Sequence, residues 1–275
     1  VHRYRKLGGE LKLRSGVSRI ISDCGKADRL ILDNGSEIRG DAVISSAGWN
    51  NTMRMCEGRG PISTSAARIS LAETISILSK QPHQLGLDRT MVFFNSTDEF
   101  LWRRPDRLCD DSSGVICVPN NFQYGDFPAD KTQLSEGVVR VTMLANFNRW
   151  SALSQHDYQR QKELWFERII TAAEQFVPPF REYTLDTDMF TPKTIARFTS
   201  HESGAVYGAP HKHYDGRTHL DNVFICGADQ GLVGIVGAMT SGIRTANQLI
   251  LARNRISAAH STISTSSQPD VPRSF

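Results

Sequence analysis

At 275 residues, with 39% hydrophobic and 22% charged residues, the chain can bury a large core as one domain or two. A net charge of +3 without any Lys/Arg run excludes a basic nucleic-acid binder and leaves only a weak pull towards anionic membrane surfaces. Five scattered cysteines, odd in number and with no C-x-x-C pair, exclude a disulfide scaffold and fit a reducing, cytoplasmic setting.

Val1 in place of Met implies a chain that begins inside a longer gene product or after processing. The N-terminus does not read as a signal peptide, and no apolar run approaches the roughly 20 residues of a membrane span. Residues 1–7 read as the end of a helix stopped by Gly8-Gly9. Residues 10–13 and 17–22 read as strands separated by Gly16. Residues 27–32 and 36–38 flank Asp33-Asn34-Gly35, a hairpin turn signal. Residues 41–46 (DAVISS) read as a buried strand ending at Ala47-Gly48.

From residue 51 to about 190 the character changes. Strands are expected at 91–95, 114–119 and 138–146. A long helix is expected from about 155 to 176, with Leu164, Ile169, Ile170 and Ala173 on its apolar stripe and Pro178-Pro179 at its end. Trp102, Phe122, Tyr124, Phe127, Phe147 and Trp150 make this segment aromatic-rich, as core or as the lining of a channel for a long apolar substrate. Residues 254–275 are rich in Ser, Thr and Pro and read as a disordered tail.

The run 223–250, VFICGADQGLVGIVGAMTSGIRTANQLI, is the most informative. A short apolar strand meets a turn set by Gly227, Gly231, Gly234 and Gly237, and a helix of small residues follows. Ala238, Ser241, Gly242, Thr245 and Ala246 share one helix face with almost no side chains. The amides of about 235–239 are expected to lack intrahelical partners and to suit an electron-rich carbonyl or ring nitrogen. The alternative is a small-residue helix packed on a sheet. Asp229, in the turn, accepts from sugar hydroxyls or, as a turn aspartate, from nearby amides.

Other constellations are weaker. His201, His211, His213 and His219 lie close together, but no H-E-x-x-H or Cys partner supports a metal, and a solvated loop is the better reading. His201 and Arg197 stand just before the glycine-rich run, on the substrate side or in structural pairing. There is no Ser/His/Asp elbow and no P-loop, and no catalytic acid or base is named.

Four stretches together resemble the carboxyl-terminal portion of the phytoene desaturase-like branch of FAD-dependent oxidoreductases, a group related to amine oxidases that includes carotenoid desaturases, carotenoid isomerases and retinol saturases. They are GGELKLRSGVSRI followed by LDNGSEIRGDAVISSAG, then YQRQKELWFERIITAAEQFVPPF, then TPKTIARFTSHESGAVYG, then NVFICGADQGLVGIVGAMTSGIRTANQLI. The resemblance runs to about Arg253. It implies an α/β fold: a partial FAD/NAD(P)-binding, Rossmann-like domain from residues 1–50 and 191–253, plus a mixed-sheet α+β substrate domain over 51–190. It implies FAD as cofactor, with the Val17 backbone against the adenine and Ser46 and Ala47 near the pyrophosphate. Gly227, Ala228 and Asp229 would approach the ribityl chain and phosphates, and Gly234, Ile235, Val236, Gly237, Ala238 and Met239 would face the isoalloxazine.

Two departures stand out. Amine oxidases place an acidic residue directly after the glycine of this motif, whereas Ala228 here precedes Asp229. The family also opens with a strand–G-x-G-x-x-G–helix unit. The G-x-G of this chain, Gly58-Arg59-Gly60, is followed by Pro61, has Ser63 at the third glycine position and has no apolar strand before it. The expected function is therefore FAD-dependent oxidation, saturation or isomerisation of a polyene or lipid-like substrate, with a partner chain or a further N-terminal segment completing the cofactor site and peripheral contact with a membrane. Rival readings are a non-catalytic fragment or subunit that binds no flavin alone, and a flavin amine oxidase.

Overall fold

The computed structural model describes residues 1–57, 69–123, 125 and 134–251. The Gly58-Arg59-Gly60 loop, Tyr124, Phe127 and the expected tail lie outside the described residues. The chain divides into two units, Val1–Ser65 with Tyr207–Phe275, and Ala66–Val206. Both boundaries fall later than the expected 50/51 and 190/191. The first moves because helix α2 (Trp49–Met55) packs through Trp49 and Met53 into the core of the first unit. The second moves because helix α5 (Pro192–Thr199) and the turn after it pack with the second, where Ser70 Oγ donates to the Gly204 carbonyl at 2.6 Å.

In the first unit, helix α1 (His2–Lys6) buries nothing and ends at Gly8, whose φ is 86°. Residues 10–13 form no strand, contrary to expectation. Ser15 Oγ turns back onto the Leu13 carbonyl, and pairing with the neighbouring segment begins only where Asp33 N donates to the Gly16 carbonyl. Strands β1 (Val17–Asp23), β2 (Lys26–Leu32) and β3 (Glu37–Arg39) make an antiparallel meander. Its second turn is closed by Asn34, whose Oδ1 accepts from the amide and hydroxyl of Ser36. Strand β4 (Val43–Ser45) pairs in parallel with β10 (Val223–Ile225), Ser45 opposite Ile225. Asn222 ties this pair to the meander: its Oδ1 accepts from Ala27 N, and its Nδ2 donates to the carbonyls of Ala27 and Asp41. Ile20, Trp49, Met53, Val223 and Ile225 form the core.

The second unit is a five-stranded sheet in the order β6-β7-β8-β5-β9. These strands are β5 (Ser70–Leu78), β6 (Met91–Asn95), β7 (Ser113–Cys117), β8 (Gly137–Ala145) and β9 (Thr184–Phe190). Every pairing among them is antiparallel rather than mixed. The chain passes from β8 to β9 through helices α3 (Phe147–Ser151) and α4 (Gln155–Ala173) and comes down on the far side of β5, so no two parallel strands are neighbours. Ser154 caps α4 by accepting from Asp157 N. Helix α4 buries Trp165, Ile169, Ile170 and Ala173 against Ala72, Val141 and Ile116. Leu164 is not part of that stripe. It is 50% exposed, because it lies five residues from Ile169, about 140° round the helix, where Trp165 lies about 40° away. Beyond Pro178-Pro179, Glu174 Oε1 accepts from the amides of Phe180 and Arg181 and closes the turn.

The aromatic residues divide by position. Trp150 is fully buried, with its Nε1 donating to the Leu108 carbonyl. Phe147 is half-buried, while Trp102 and Phe122 are exposed. No helix among the described residues is long and apolar enough to cross a membrane.

Candidate functional site

Strands β4 and β10 run in parallel and deliver their carboxyl ends to the same edge. In open parallel sheets that edge is where ligands bind. After β4 the chain passes Ser46, which is exposed, and Ala47, half-buried, before Gly48 opens α2. After β10 it passes Cys226, whose amide extends the ladder to the Ser45 carbonyl, and then Gly227. Gly227 has φ 96° and ψ −159°, a conformation essentially confined to glycine. A short 3-10 turn, Ala228–Gln230, follows, and then helix α6 (Gly234–Thr245).

A ladder of buried polar groups fixes this turn against α6. Gly227 N donates to Ser241 Oγ at 2.7 Å, and Ser241 Oγ donates to Gln230 Oε1 at 2.5 Å. Gln230 Nε2 donates to Thr245 Oγ1 at 3.3 Å. Gly237, Ser241 and Thr245 are thus the buried face of α6. The expected small-residue face is turned by about one residue: Ala238 is exposed, and Gly242 and Ala246 are half-buried. Gly237 is glycine for local reasons, since a Cβ there would stand 2.6 Å from the Leu232 carbonyl carbon.

The start of α6 carries no side-chain cap. With Val233 as N-cap, the amides left without intrahelical acceptors are those of Val233, Gly234, Ile235 and Val236. The expected range of 235–239 is therefore too late, because the amides from Gly237 onward belong to the helix. Around those four amides the surface is apolar: Ile235 is 83%, Val236 75% and Met239 62% exposed. Such a cluster on a protein surface marks a face that something else covers.

Asp229 is buried, and both of its oxygens serve the fold. Oδ1 accepts from Ala209 N and Oδ2 from Trp49 N, each at 2.6 Å. Gly48 has no side chain to cap α2, so a carboxylate 180 residues away does so. Neither amide belongs to the turn that carries Asp229, so its partners are tertiary rather than those of a local turn aspartate. Val17 packs against the core cluster that holds Trp49 and Ile225.

Asp229 also organises a basic cluster. His213 N donates to the Asp229 carbonyl, and the His213 ring stacks on Trp49 with centroids 3.4 Å apart and planes 6° apart. His213 Nε2 is buried with no hydrogen-bond partner among the described residues. Burial, and then His211, hold the His213 pKa below its usual value against the opposing pull of Asp229 and Asp215. Lys212 Nζ donates to the carbonyls of Tyr207 and Ala228, and burial lowers its pKa. Among the described residues no group of three or more His, Cys, Asp or Glu is disposed to hold a metal. Arg197 and His201 stand in the other unit. His201 Nδ1 lies 3.1 Å from the Ala205 carbonyl, and the Arg197 guanidinium stacks over Phe198.

Gln230 and Trp49 carry no signal in the sequence, and Ser241 reads there only as one of the small residues of the helix face. The polar ladder pairs residues 11 to 15 positions apart across a turn, and the Trp49–Asp229 contact spans 180. The expected face already holds Ser241 and Thr245; the structure adds Gly237 to it in place of Ala238. Nothing in the sequence links Trp49 to Asp229.

No family model matches the chain. It is 25% identical to an all-trans-retinol 13,14-reductase of Danio rerio, over 90% of this chain and 47% of that protein. It is 24% identical to the chloroplastic prolycopene isomerase 2 of an Oncidium hybrid cultivar, over 88% of this chain and 42% of that protein. The chain thus spans under half the length of both relatives. Its fold resembles that of an oxidoreductase from Methanosarcina mazei, with a TM-score of 0.55 at 13% identity over 89% of this chain and 51% of that one. It likewise resembles putrescine oxidase, with a TM-score of 0.55 at 14% identity over 90% and 50%. The sequence relatives and the fold agree with the four stretches: the chain is related to the phytoene desaturase-like group of oxidoreductases.

Proposed function

We propose that this chain is the flavin-ring and substrate-binding portion of an FAD-dependent oxidoreductase acting on a polyene or similar apolar molecule. The observation that carries the reading is the start of α6. Four amides without intrahelical acceptors, ringed by exposed Ile235, Val236 and Met239, follow a strand at the carboxyl edge of a parallel pair. This surface fits the carbonyl edge of a flat aromatic ring system that gains negative charge on reduction. Gly227 and Ala228, with Ser46 and Ala47, would hold the remainder of the cofactor by backbone contacts, while Asp229 shapes the loop from behind. FAD, when bound, supplies hydride transfer to or from a substrate carbon. The protein's part is orientation and exclusion of water, and no acid or base is assigned.

The second unit would supply the substrate surface. One face of its sheet packs on α4. On the other, the strand pairing aligns Met91 and Phe93, both exposed, with Val115, Cys117, Ile75 and Ile77, all half-buried. An antiparallel sheet with a free face normally carries polar residues there. The apolar part of this face, on β6, β7 and β5, fits an apolar substrate drawn from a membrane that the protein touches peripherally, with Glu73, Arg140 and Thr142 beside it and Asp186 and Asp188 of β9 at its edge. The length relation to the relatives supports a further segment or partner chain that contributes the phosphate-binding half.

The test is a titration of the purified chain with FAD, alone and together with the dinucleotide-binding half supplied as a separate chain, followed by flavin absorbance and fluorescence. Stoichiometric flavin binding in the complemented sample is expected. A complemented sample that stays colourless would favour the non-catalytic reading. A screen of polyenes against amines on the flavin-loaded sample separates the proposed substrate class from that of an amine oxidase.

A further inference from the structure

Of the asparagines in this chain, Asn34 alone is followed by glycine. That pair is chemically distinct. Glycine has no side chain to hinder its amide nitrogen, so the nitrogen can reach the carboxamide carbon of the residue before it. Asn34, Gly35 and Ser36 are all exposed at the tip of the β2–β3 hairpin, where water is at hand.

In the closed turn, hydrogen bonds occupy the groups that such a reaction needs. Gly35 N donates to the Leu32 carbonyl at 2.9 Å. Asn34 Oδ1 accepts from Ser36 N at 3.0 Å and from Ser36 Oγ at 2.7 Å. The first bond keeps the nucleophilic nitrogen turned towards Leu32. The other two hold the carboxamide forward on Ser36, and it cannot rotate onto Gly35 N without giving them up. Each bond of this kind holds an exposed turn shut by only about two- to tenfold. Hairpin tips also open locally without unfolding the rest of a domain.

We propose that Asn34-Gly35 is a self-modification site, guarded by its own turn and reactive when the turn opens. In the open turn Gly35 N gives up its proton to water and bonds to Asn34 Cγ. The Cγ–Nδ2 bond breaks, ammonia leaves, and a cyclic imide remains. Water then opens the ring at either carbonyl. One product has an aspartate in place of Asn34, and the other has an isoaspartyl link that carries the main chain through the side-chain carbon. Water enters and ammonia leaves, with no oxidation or reduction.

The isoaspartyl link lengthens the main chain inside a turn that Leu32 closes twice, by donating to the Ser36 carbonyl and accepting from Gly35 N. Strand β3 is the end strand of the meander and pairs with β2 only at Glu37, Ile38 and Arg39. It is therefore the element that loosens, shortly before the chain enters β4 and reaches Ser46 and Ala47. The inference is independent of the flavin reading.

The experiment incubates the purified chain and a synthetic peptide of residues 29–39 at mildly alkaline pH. Both are mapped by mass spectrometry, with chromatography separating isoaspartyl from aspartyl peptides of equal mass. Asn34 should convert first among the chain's asparagines, and about tenfold or more slowly than in the peptide. Ser36→Ala, which removes one bond to Asn34, should speed conversion in the chain about threefold and leave the peptide nearly unchanged. Hydrogen exchange at residues 37–39 should be faster in the isoaspartyl product than in Asn34→Asp, which carries the same charge on an unaltered main chain. Conversion of another asparagine before Asn34, or an intact Asn34 while the peptide converts, overturns the site. Equal rates in chain and peptide, or no effect of Ser36→Ala, overturn the guarding turn. Equal exchange in the two aspartyl forms overturns the loosening of β3.

Discussion

Asp229 offers the sharpest test of how the candidate site is built. Its two oxygens accept from the amides of Trp49 and Ala209 at 2.6 Å, in a side chain that is buried. Hydrogen bonds to a charged acceptor contribute about 1.5–3 kcal/mol each. Asp229→Ala removes both and leaves two amides without acceptors, a loss of about 4 kcal/mol. Asp229→Asn keeps one oxygen but turns an NH2 group towards the second amide, and should cost about 2 kcal/mol by the same reckoning. Lys212 compounds the effect, since Asp229 is the charge that opposes its desolvation. Against a typical domain stability of about 5–15 kcal/mol, the alanine variant would leave the first unit marginal. Urea unfolding followed by tryptophan fluorescence measures this, because Trp49 lies at the capped end of α2. If Asp229→Ala lowers the extrapolated stability by less than about 1 kcal/mol, the carboxylate is not the internal clamp described here, and a role towards a ligand regains its place.

Three further outcomes follow from the same structure. Trp165→Ala should cost about 3–5 kcal/mol, while Leu164→Ala, at a half-exposed position one residue away, should change stability by less than about 0.5 kcal/mol; urea midpoints of the two variants decide it. In α6, Gly242→Ala meets nothing within 4 Å and should stabilise by about 0.5–1 kcal/mol, whereas Gly237→Ala drives a Cβ into the Leu232 backbone and should destabilise, with thermal melts moving in opposite directions. The third concerns pH. His213 has its folded pKa held below the unfolded value of about 6.5, so below that pH the unfolded chain binds more protons and stability falls as pH drops. At pH 7 and above this contribution is absent. Denaturant midpoints between pH 7.5 and 5.5 should decline less in His213→Phe, which keeps the stack on Trp49 and cannot take a proton.

Much of the architecture was legible because local chemistry dictates it. Asn34-Gly35 closes a hairpin whatever surrounds it, and Pro178-Pro179 must end the long helix of the second unit. The alternation in β7 and β8 announced two strands of the second unit. Strands β5 and β9 were not legible. SLAETISIL places a glutamate in mid-strand, and TLDTDMF alternates acids on a strand at the sheet edge. Both are strands because neighbours distant in sequence complete their ladders. The strand at residues 10–13 failed for the converse reason, having the pattern and no partner.

By itself the sequence determined the order of the four family-like stretches, the glycines that let the chain turn at Gly227, and the small residues that form α6. These depend on backbone freedom and side-chain volume, which are properties of single residues. Only the tertiary structure decided which way α6 faces, that Asp229 is committed to Trp49 and Ala209, and that Glu73 holds Arg140. Each of those rests on a hydrogen bond between residues 20 to 180 positions apart, or on a helix phase set by the buried ladder from Gly227 to Thr245. Such contacts form only when the chain has folded, because their strength comes from the burial that folding creates.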